Sequence, residues 1–291
     1  MALPPDLPVI DHHCHLSPDG EGVEAARRFR AAGGTHLFLA TQQYGAKTPD
    51  CVEDYAAQFE TTERIARAVE SMTGAVVYLT IAPYPVDLVR SAETLGLAAA
   101  VEVHRSALEL AGRWVEEGRA VAVGEVGRPH FSVAPEVFEA CSEVFRTALE
   151  VARDVGCPAV VHCEELTPDS YRELAGFAAR ASFPLGRLVK HYAKVVRPVA
   201  DLGGIVPSYL ATRDAVAASA SQPGPWFWET DFLDDPKRPG AVLDLATVAR
   251  RARGMGETGP SGIEALRIPF EASVQQVYGF RPTVRSGVPA R

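Results

Sequence analysis

Three of the chain's eight histidines fall within the stretch VIDHHCHL, residues 9 to 16. On an extended strand residues i and i+2 project to the same side, so His13 and His15 share one centre while His12 and Cys14 face away. Four more ligand-type residues stand near the ends of later apolar runs: Glu125 in AVAVGEVG, His162 in PAVVHCE, His191 in RLVKHYA and Asp231 in PWFWETDF. Any one of these histidines taken alone reads as an ordinary hydrogen-bonded core residue. Their shared placement at strand ends is what points to metal. Four imidazoles and two carboxylates suit one or two divalent ions, from among zinc, manganese, magnesium and iron, with Glu125 as the bridging ligand. Such a centre makes a hydroxide nucleophile at neutral pH. The expected catalytic residues are Glu125 and Asp231, the latter as ligand and as proton acceptor from the attacking water.

These residues need elements to position them. Eight short apolar runs alternate with helix-like segments: residues 8 to 11, 35 to 41, 75 to 83, 120 to 127, 158 to 164, 187 to 193, 203 to 210 and 225 to 232. Runs apolar on both faces are what strands of a covered parallel sheet require. Helical periodicity marks 52 to 72, 135 to 156 and 167 to 181, the last with Thr167 as N-cap and Pro168 at the first helical position. The expected fold is α/β, a TIM-type (β/α)8 barrel forming a single domain over residues 1 to 291. Residues 86 to 118 read as two helices, with AAAVEV as the competing strand. Residues 250 to 262 read as a mobile loop before a C-terminal helix at 269 to 278. In such a barrel the site is built at the C-terminal ends of the strands, where the six ligand candidates stand.

Composition narrows the function classes. A net charge of -8 and a pI near 5.5 exclude a general polyanion-binding surface, though not a local basic pocket. Five cysteines without a C-x-x-C pair fit a reducing compartment rather than a disulfide framework. The N-terminal stretch lacks the basic and apolar regions of an export signal, and no apolar run is long enough to span a bilayer. The expectation is a cytoplasmic protein with no membrane partner. The oligomeric state is open.

The motifs IDHHCHL, AVGEVG, VVHCEE, LVKH and WETDFLDDP occur in that order over residues 9 to 236. In this they resemble the TatD-like metal-dependent hydrolases of the amidohydrolase superfamily. The resemblance implies a TIM-type barrel with one or two metal ions, acting as a deoxyribonuclease or phosphoesterase. It places the strand-one pair on His13 and His15, the bridging carboxylate on Glu125, the single histidines on His162 and His191, and the last aspartate on Asp231. Two departures bear on the substrate. Where nuclease-like members continue Leu-Asp-Tyr after the glutamate motif, this chain has Arg128, Pro129 and His130. Where they carry arginine two residues after the strand-five histidine, this chain has Glu164. Glu164 would repel a phosphodiester, whereas Arg128 and His130 would supply positive charge.

The primary reading is a phosphoesterase on a small or nucleic-acid substrate, with Arg128, His130, Glu164 and Tyr84 contacting it. The alternatives are an amidohydrolase or lactonase on a small amide or ester, and a non-catalytic metal-binding barrel. Phosphotriesterase-like relatives carry a carbamylated barrel lysine, but alternation turns Lys190 outward if His191 faces in. His12, His36 and His104 read as structural, and Cys14 and Cys163 as turned from the centre. Ser208, near the end of the seventh run, is a further candidate for lining the pocket, while Lys237 and Arg238 in DDPKRPG read as a solvated turn, with substrate-binding charge as the alternative. Trp226 and Trp228 read as packing rather than as a base-stacking platform.

Overall fold

Every apolar run overlaps a strand, and the eighth overlaps two. The computed structural model describes residues 3–284. Its strands are β1 (Ile10–His15), β2 (His36–Ala40), β3 (Val76–Ile81), β4 (Ala122–Gly127), β5 (Ala159–His162), β6 (Leu188–Ala193), β7 (Val206–Leu210), β8 (Phe227–Glu229) and β9 (Phe232–Leu233). All pairings are parallel, in the order β8-β7-β6-β5-β4-β3-β2-β1-β9. The expectation of eight strands is thus corrected to nine. The break falls at Thr230 and Asp231, where Asp231 takes φ 45, a left-handed conformation that leaves the extended path of the strand. Segment 227–233 therefore carries both edges of the sheet, β8 on β7 and β9 on β1.

The helices are α1 (Val23–Ala31), α2 (Val52–Thr73), α3 (Pro85–Leu95), α4 (Leu97–Glu116), α5 (Pro135–Asp154), α6 (Pro168–Arg180), α7 (Arg213–Ser219), α8 (Thr247–Gly256), α9 (Pro260–Arg267) and α10 (Ser273–Tyr278). Together they make a single α/β domain. Residues 86 to 118 hold two helices, and AAAVEV lies within α4. At the start of α6 the Thr167 hydroxyl accepts from the Ser170 N–H, and the Ser170 hydroxyl accepts from the Thr167 N–H, a closed capping box behind Pro168.

The stretch 250 to 262 is not a loop. Helix α8 runs through it to Gly256, and α9 starts at Pro260. Arginine, alanine and methionine outweigh the glycines here, and Ala249 and Ala252 are buried against the strands, so tertiary packing overrides the glycine signal. The C-terminal helix is present as α10, joined to α9 through a π-helical turn, Ile268–Ala272. Among the described residues no helix is long and apolar enough to cross a membrane.

What positions the site is irregularity in the ladder. The register slips between Asp11 and Cys14 in β1, between Gly124 and Val126 in β4, and between Lys190 and Ala193 in β6. Each slip brackets a ligand candidate: His13, Glu125 or His191. Bulges of this kind re-aim a side chain while leaving the flanking strand in the sheet. The slip in β1 turns His12 from the ligand pair: its ring stacks on Phe227 at 3.9 Å, and its nitrogens meet Ser208 Oγ at 3.1 Å and the Tyr278 hydroxyl at 2.8 Å. His12 thus ties β1 to β7 and α10.

Candidate metal centre

The six ligand candidates converge, with Glu125 in the middle. Its Oε1 lies 2.6 Å from His13 Nε2, 3.2 Å from His15 Nε2 and 3.7 Å from His191 Nε2, while its Oε2 lies 3.2 Å from His162 Nδ1. Asp231 Oδ1 lies 3.8 Å from His13 Nε2 and 3.6 Å from His15 Nε2. Two donor groups result, one of His13, His15, Glu125 and Asp231, the other of Glu125, His162 and His191. Glu125 belongs to both, with Oε1 near His13, His15 and His191 and Oε2 near His162.

The donor chemistry fits a cation. His13 Nε2 and His15 Nε2 face each other at 3.2 Å, and His162 Nδ1 faces His191 Nε2 at 3.1 Å. Each such pair can share a proton as an N–H···N hydrogen bond, and with those protons removed the converging nitrogen lone pairs and carboxylate oxygens form a donor set suited to a divalent ion. The charges of the cluster are strongly coupled. Burial works against charge on Glu125, yet His191, His13, His15 and His162 more than offset it and hold the carboxyl well below its ordinary range. Burial likewise opposes charge on His15, yet Asp231 and Glu125 lift its imidazole to about 10. Burial pushes His191 well below the ordinary imidazole range, although Glu125 pulls the other way.

Two buried carboxylates that sequence reasoning missed hold these ligands in place. Asp11 accepts from the backbone N–H of His13 at 3.2 Å and of Thr230 at 3.0 Å, and from the Thr230 hydroxyl at 2.6 Å. Burial raises its carboxyl to about 7 against the opposing Thr230 bonds. Glu229 accepts from the Tyr192 N–H at 2.7 Å and faces His191 Nδ1 at 3.5 Å, and burial, then Asp231, pushes it well above the carboxylate range. Tyr192 has φ 55, so Glu229 anchors a left-handed residue directly behind a ligand. The available signal was position: Asp11 and Glu229 each precede a ligand candidate by two residues.

Close strand approach completes the centre. Gly127 has φ 138, and a Cβ there would overlap the His162 carbonyl, so only glycine lets β4 and β5 come together beside Glu125 and His162. Lys190 is buried and donates to the His191 carbonyl, outside both donor groups.

A cavity of about 760 Å³ opens over this cluster. Tyr84, His130, Arg90, Lys237, Arg238 and Phe131 are among its walls. The Tyr84 hydroxyl and His130 Nδ1 reach His162 Nε2, at 3.2 Å and 2.8 Å. Arg128 and Glu164, expected to face the substrate, are bound to each other at 2.6 Å, and neither lines the cavity. Arg128 also donates to Glu173 at 2.7 Å, a partner invisible from sequence because it comes from α6. Burial works against the guanidinium charge, but Glu173 and Glu164 more than offset it and hold it above its ordinary range. Ser208 is held by His12 rather than lining the cavity. Trp226 and Trp228 are buried, the latter donating to Ser219 Oγ at 2.9 Å, so neither offers a stacking surface.

A parallel α/β sheet with a histidine and carboxylate cluster at its strand ends defines a metal-dependent hydrolase. The chain belongs to the TatD-related DNase family, whose model matches residues 10–279. An uncharacterised protein of Methanocaldococcus jannaschii is 29% identical over 278 residues, covering 94% of this chain and 96% of that one. Among solved structures, a TatD homologue from Escherichia coli is 18% identical with a TM-score of 0.59, covering 93% of this chain and 98% of that one. A mutant phosphotriesterase-like lactonase from Deinococcus radiodurans is 13% identical with a TM-score of 0.62, covering 94% and 96%. At these identities the two structures speak for the shared fold.

Proposed function

We propose that this hydrolase acts on phosphoesters, within an eight-stranded barrel in which β8 and β9 count as one interrupted strand. The observation that carries the reading is the two-sided carboxylate of Glu125, flanked by four imidazoles below an open cavity with cations on its walls. His13, His15, Glu125 and Asp231 would hold one divalent ion, and Glu125, His162 and His191 a second. Bound there, such ions supply a hydroxide nucleophile and polarise the bond under attack. Asp231, partly open to the cavity, takes the proton of the attacking water. Asp11 holds Asp231 and His13 in step through Thr230, and Glu229 fixes the backbone behind His191. Arg90, Lys237 and Arg238 line the cavity beside Asp19, Asp234 and Asp235; Arg238 donates to Asp235 at 2.8 Å, so Arg90 and Lys237 are the cations that give an anionic substrate its counter-charge. Glu164 no longer argues against a phosphate, because Arg128 neutralises it outside the cavity.

The second reading is a lactonase or amidohydrolase. It is supported by the apolar share of the walls, with Val86, Phe131, Leu233 and Val242 beside the polar groups, and by the absence of Arg128 from the cavity. Purified protein loaded with zinc or manganese, assayed on single-stranded DNA, an aryl phosphodiester and a panel of lactones, separates the two. Metal-dependent phosphodiester cleavage, reduced about 100-fold or more in Asp231→Asn, is the expected outcome. Turnover of lactones alone would select the second reading.

A further inference from the structure

The metal ligands account for one nitrogen of His162, and the other nitrogen is also engaged. Nδ1 faces Glu125 Oε2 at 3.2 Å and His191 Nε2 at 3.1 Å, whereas Nε2 lies 2.8 Å from His130 Nδ1 and 3.2 Å from the Tyr84 hydroxyl. We infer that His130 and Tyr84 form an uncharged donor pair that binds a negatively charged substrate oxygen, with the tautomer of His130 set by a cation on His162. This rests on the metal-dependent reading of the same site.

An imidazole that gives the lone pair of one nitrogen to a cation carries its proton on the other. With Nδ1 turned to the ion, His162 donates from Nε2, and His130 Nδ1 at 2.8 Å is placed to accept. A neutral imidazole that accepts on Nδ1 carries its own proton on Nε2. Within the described residues His130 Nε2 makes no hydrogen bond, and the ring lines the cavity. The Tyr84 oxygen shares the same His162 N–H, which leaves the hydroxyl hydrogen free to turn into the cavity that Tyr84 also lines.

Ring contacts set Tyr84 against His162 and the exposed His130 beside both His162 and Phe131. Tyr84 meets His162 edge-on at 5.0 Å and 74°, and His130 meets Phe131 edge-on at 5.3 Å and 88°. One N–H and one O–H therefore point into the cavity from the His162 side without adding net charge. Donors placed in this way stabilise an oxygen on which negative charge resides or develops, whether on phosphorus or on a carbonyl carbon. Arg128 does not compete for that oxygen, since Glu164 and Glu173 hold it elsewhere.

The test uses the full chain loaded with zinc and inorganic phosphate as the probe. Histidine nitrogen NMR of the loaded protein should show His130 protonated on Nε2. Titration calorimetry should show phosphate bound about tenfold more weakly by His130→Ala and by Tyr84→Phe, with zinc content equal to that of the unsubstituted protein. Tyr84→Phe removes a single oxygen and carries the measurement if His130→Ala does not fold. Unchanged phosphate affinity in the variants, protonation of His130 on Nδ1, or loss of zinc from both variants would each overturn the donor pair while leaving the metal reading standing. Failure of the unsubstituted protein to take up any divalent ion would overturn both.

Discussion

Asp11 and Glu229 do no chemistry on a substrate, yet the site depends on them. Asp11 ties the backbone of His13 to that of Thr230, so one carboxylate sets the aim of two ligands at once. Outer partners of this kind are worth roughly 10- to 100-fold in metal affinity. Asp11→Asn should therefore weaken zinc binding by about that factor in a chelator competition, with the fold intact by circular dichroism; undiminished affinity would refute the role. The six ligand candidates were legible because type, spacing and strand-end placement agreed. Asp11 was not, since an aspartate on a strand gives no sign of being buried and bonded to a segment 219 residues away. Arg128 and Glu164 were read as substrate contacts for the complementary reason: their mutual pairing, and Glu173 behind it, exists only in three dimensions.

At the level of elements, the approach of β4 to β5 is set by Gly127. Gly127→Ala must push the strands apart at the His162 carbonyl, and a loss of about 2 kcal/mol or more in urea unfolding is expected, together with weaker metal binding. A second pair of elements, α3 and α4, buries two titratable groups that oppose each other. His104 donates from Nδ1 to the Ala100 carbonyl and accepts from the Tyr55 hydroxyl, and burial lowers it from 6.5 to about 4. The folded chain then binds fewer protons there than the unfolded one, so stability falls as pH drops from 6.5 towards 4, by about 3 kcal/mol at most. Burial raises Asp87 from 3.8 to about 7, so its contribution grows as pH drops through that window. Asp87→Asn should remove the compensation: relative to the unsubstituted protein, its urea midpoint should fall more steeply between about pH 7 and pH 5. Equal slopes would show that the two groups do not offset each other. Most elements could be read from the sequence, because apolar runs and capping residues such as Thr167 and Pro168 are local signals. Helix α8 could not, since its glycines argued for a loop while the burial of Ala249 and Ala252, which decides the matter, is not local.

For the whole molecule, metal and fold are linked. The candidate ligands come from β1, β4, β5, β6 and the β8–β9 break, so a cation bound there would tie five parts of the sheet together. Metal at about 100 times its dissociation constant should add about 2.7 kcal/mol to stability. Calorimetric scans with and without a chelator should show a lower Tm in the chelated protein; coincident transitions would mean that the cluster is stable unliganded. The acidic net charge argues against general polyanion binding, so under the proposed function anion recognition would fall to the cavity, where Arg90 and Lys237 line the walls.

Segment 227–233 joins the last strand of the sheet to the first, and Asp231 donates its N–H to the carbonyl of His13. Pairings this distant along the chain form late, after the intervening loop entropy has been overcome. On the ribosome, His13 and His15 emerge early but have no partner in Asp231 until nearly four-fifths of the chain has been made. On the proposed function, the candidate centre would thus be complete only in a finished sheet and not in a nascent or severed one: hydrolysis would wait for the last segment to reach the first strand.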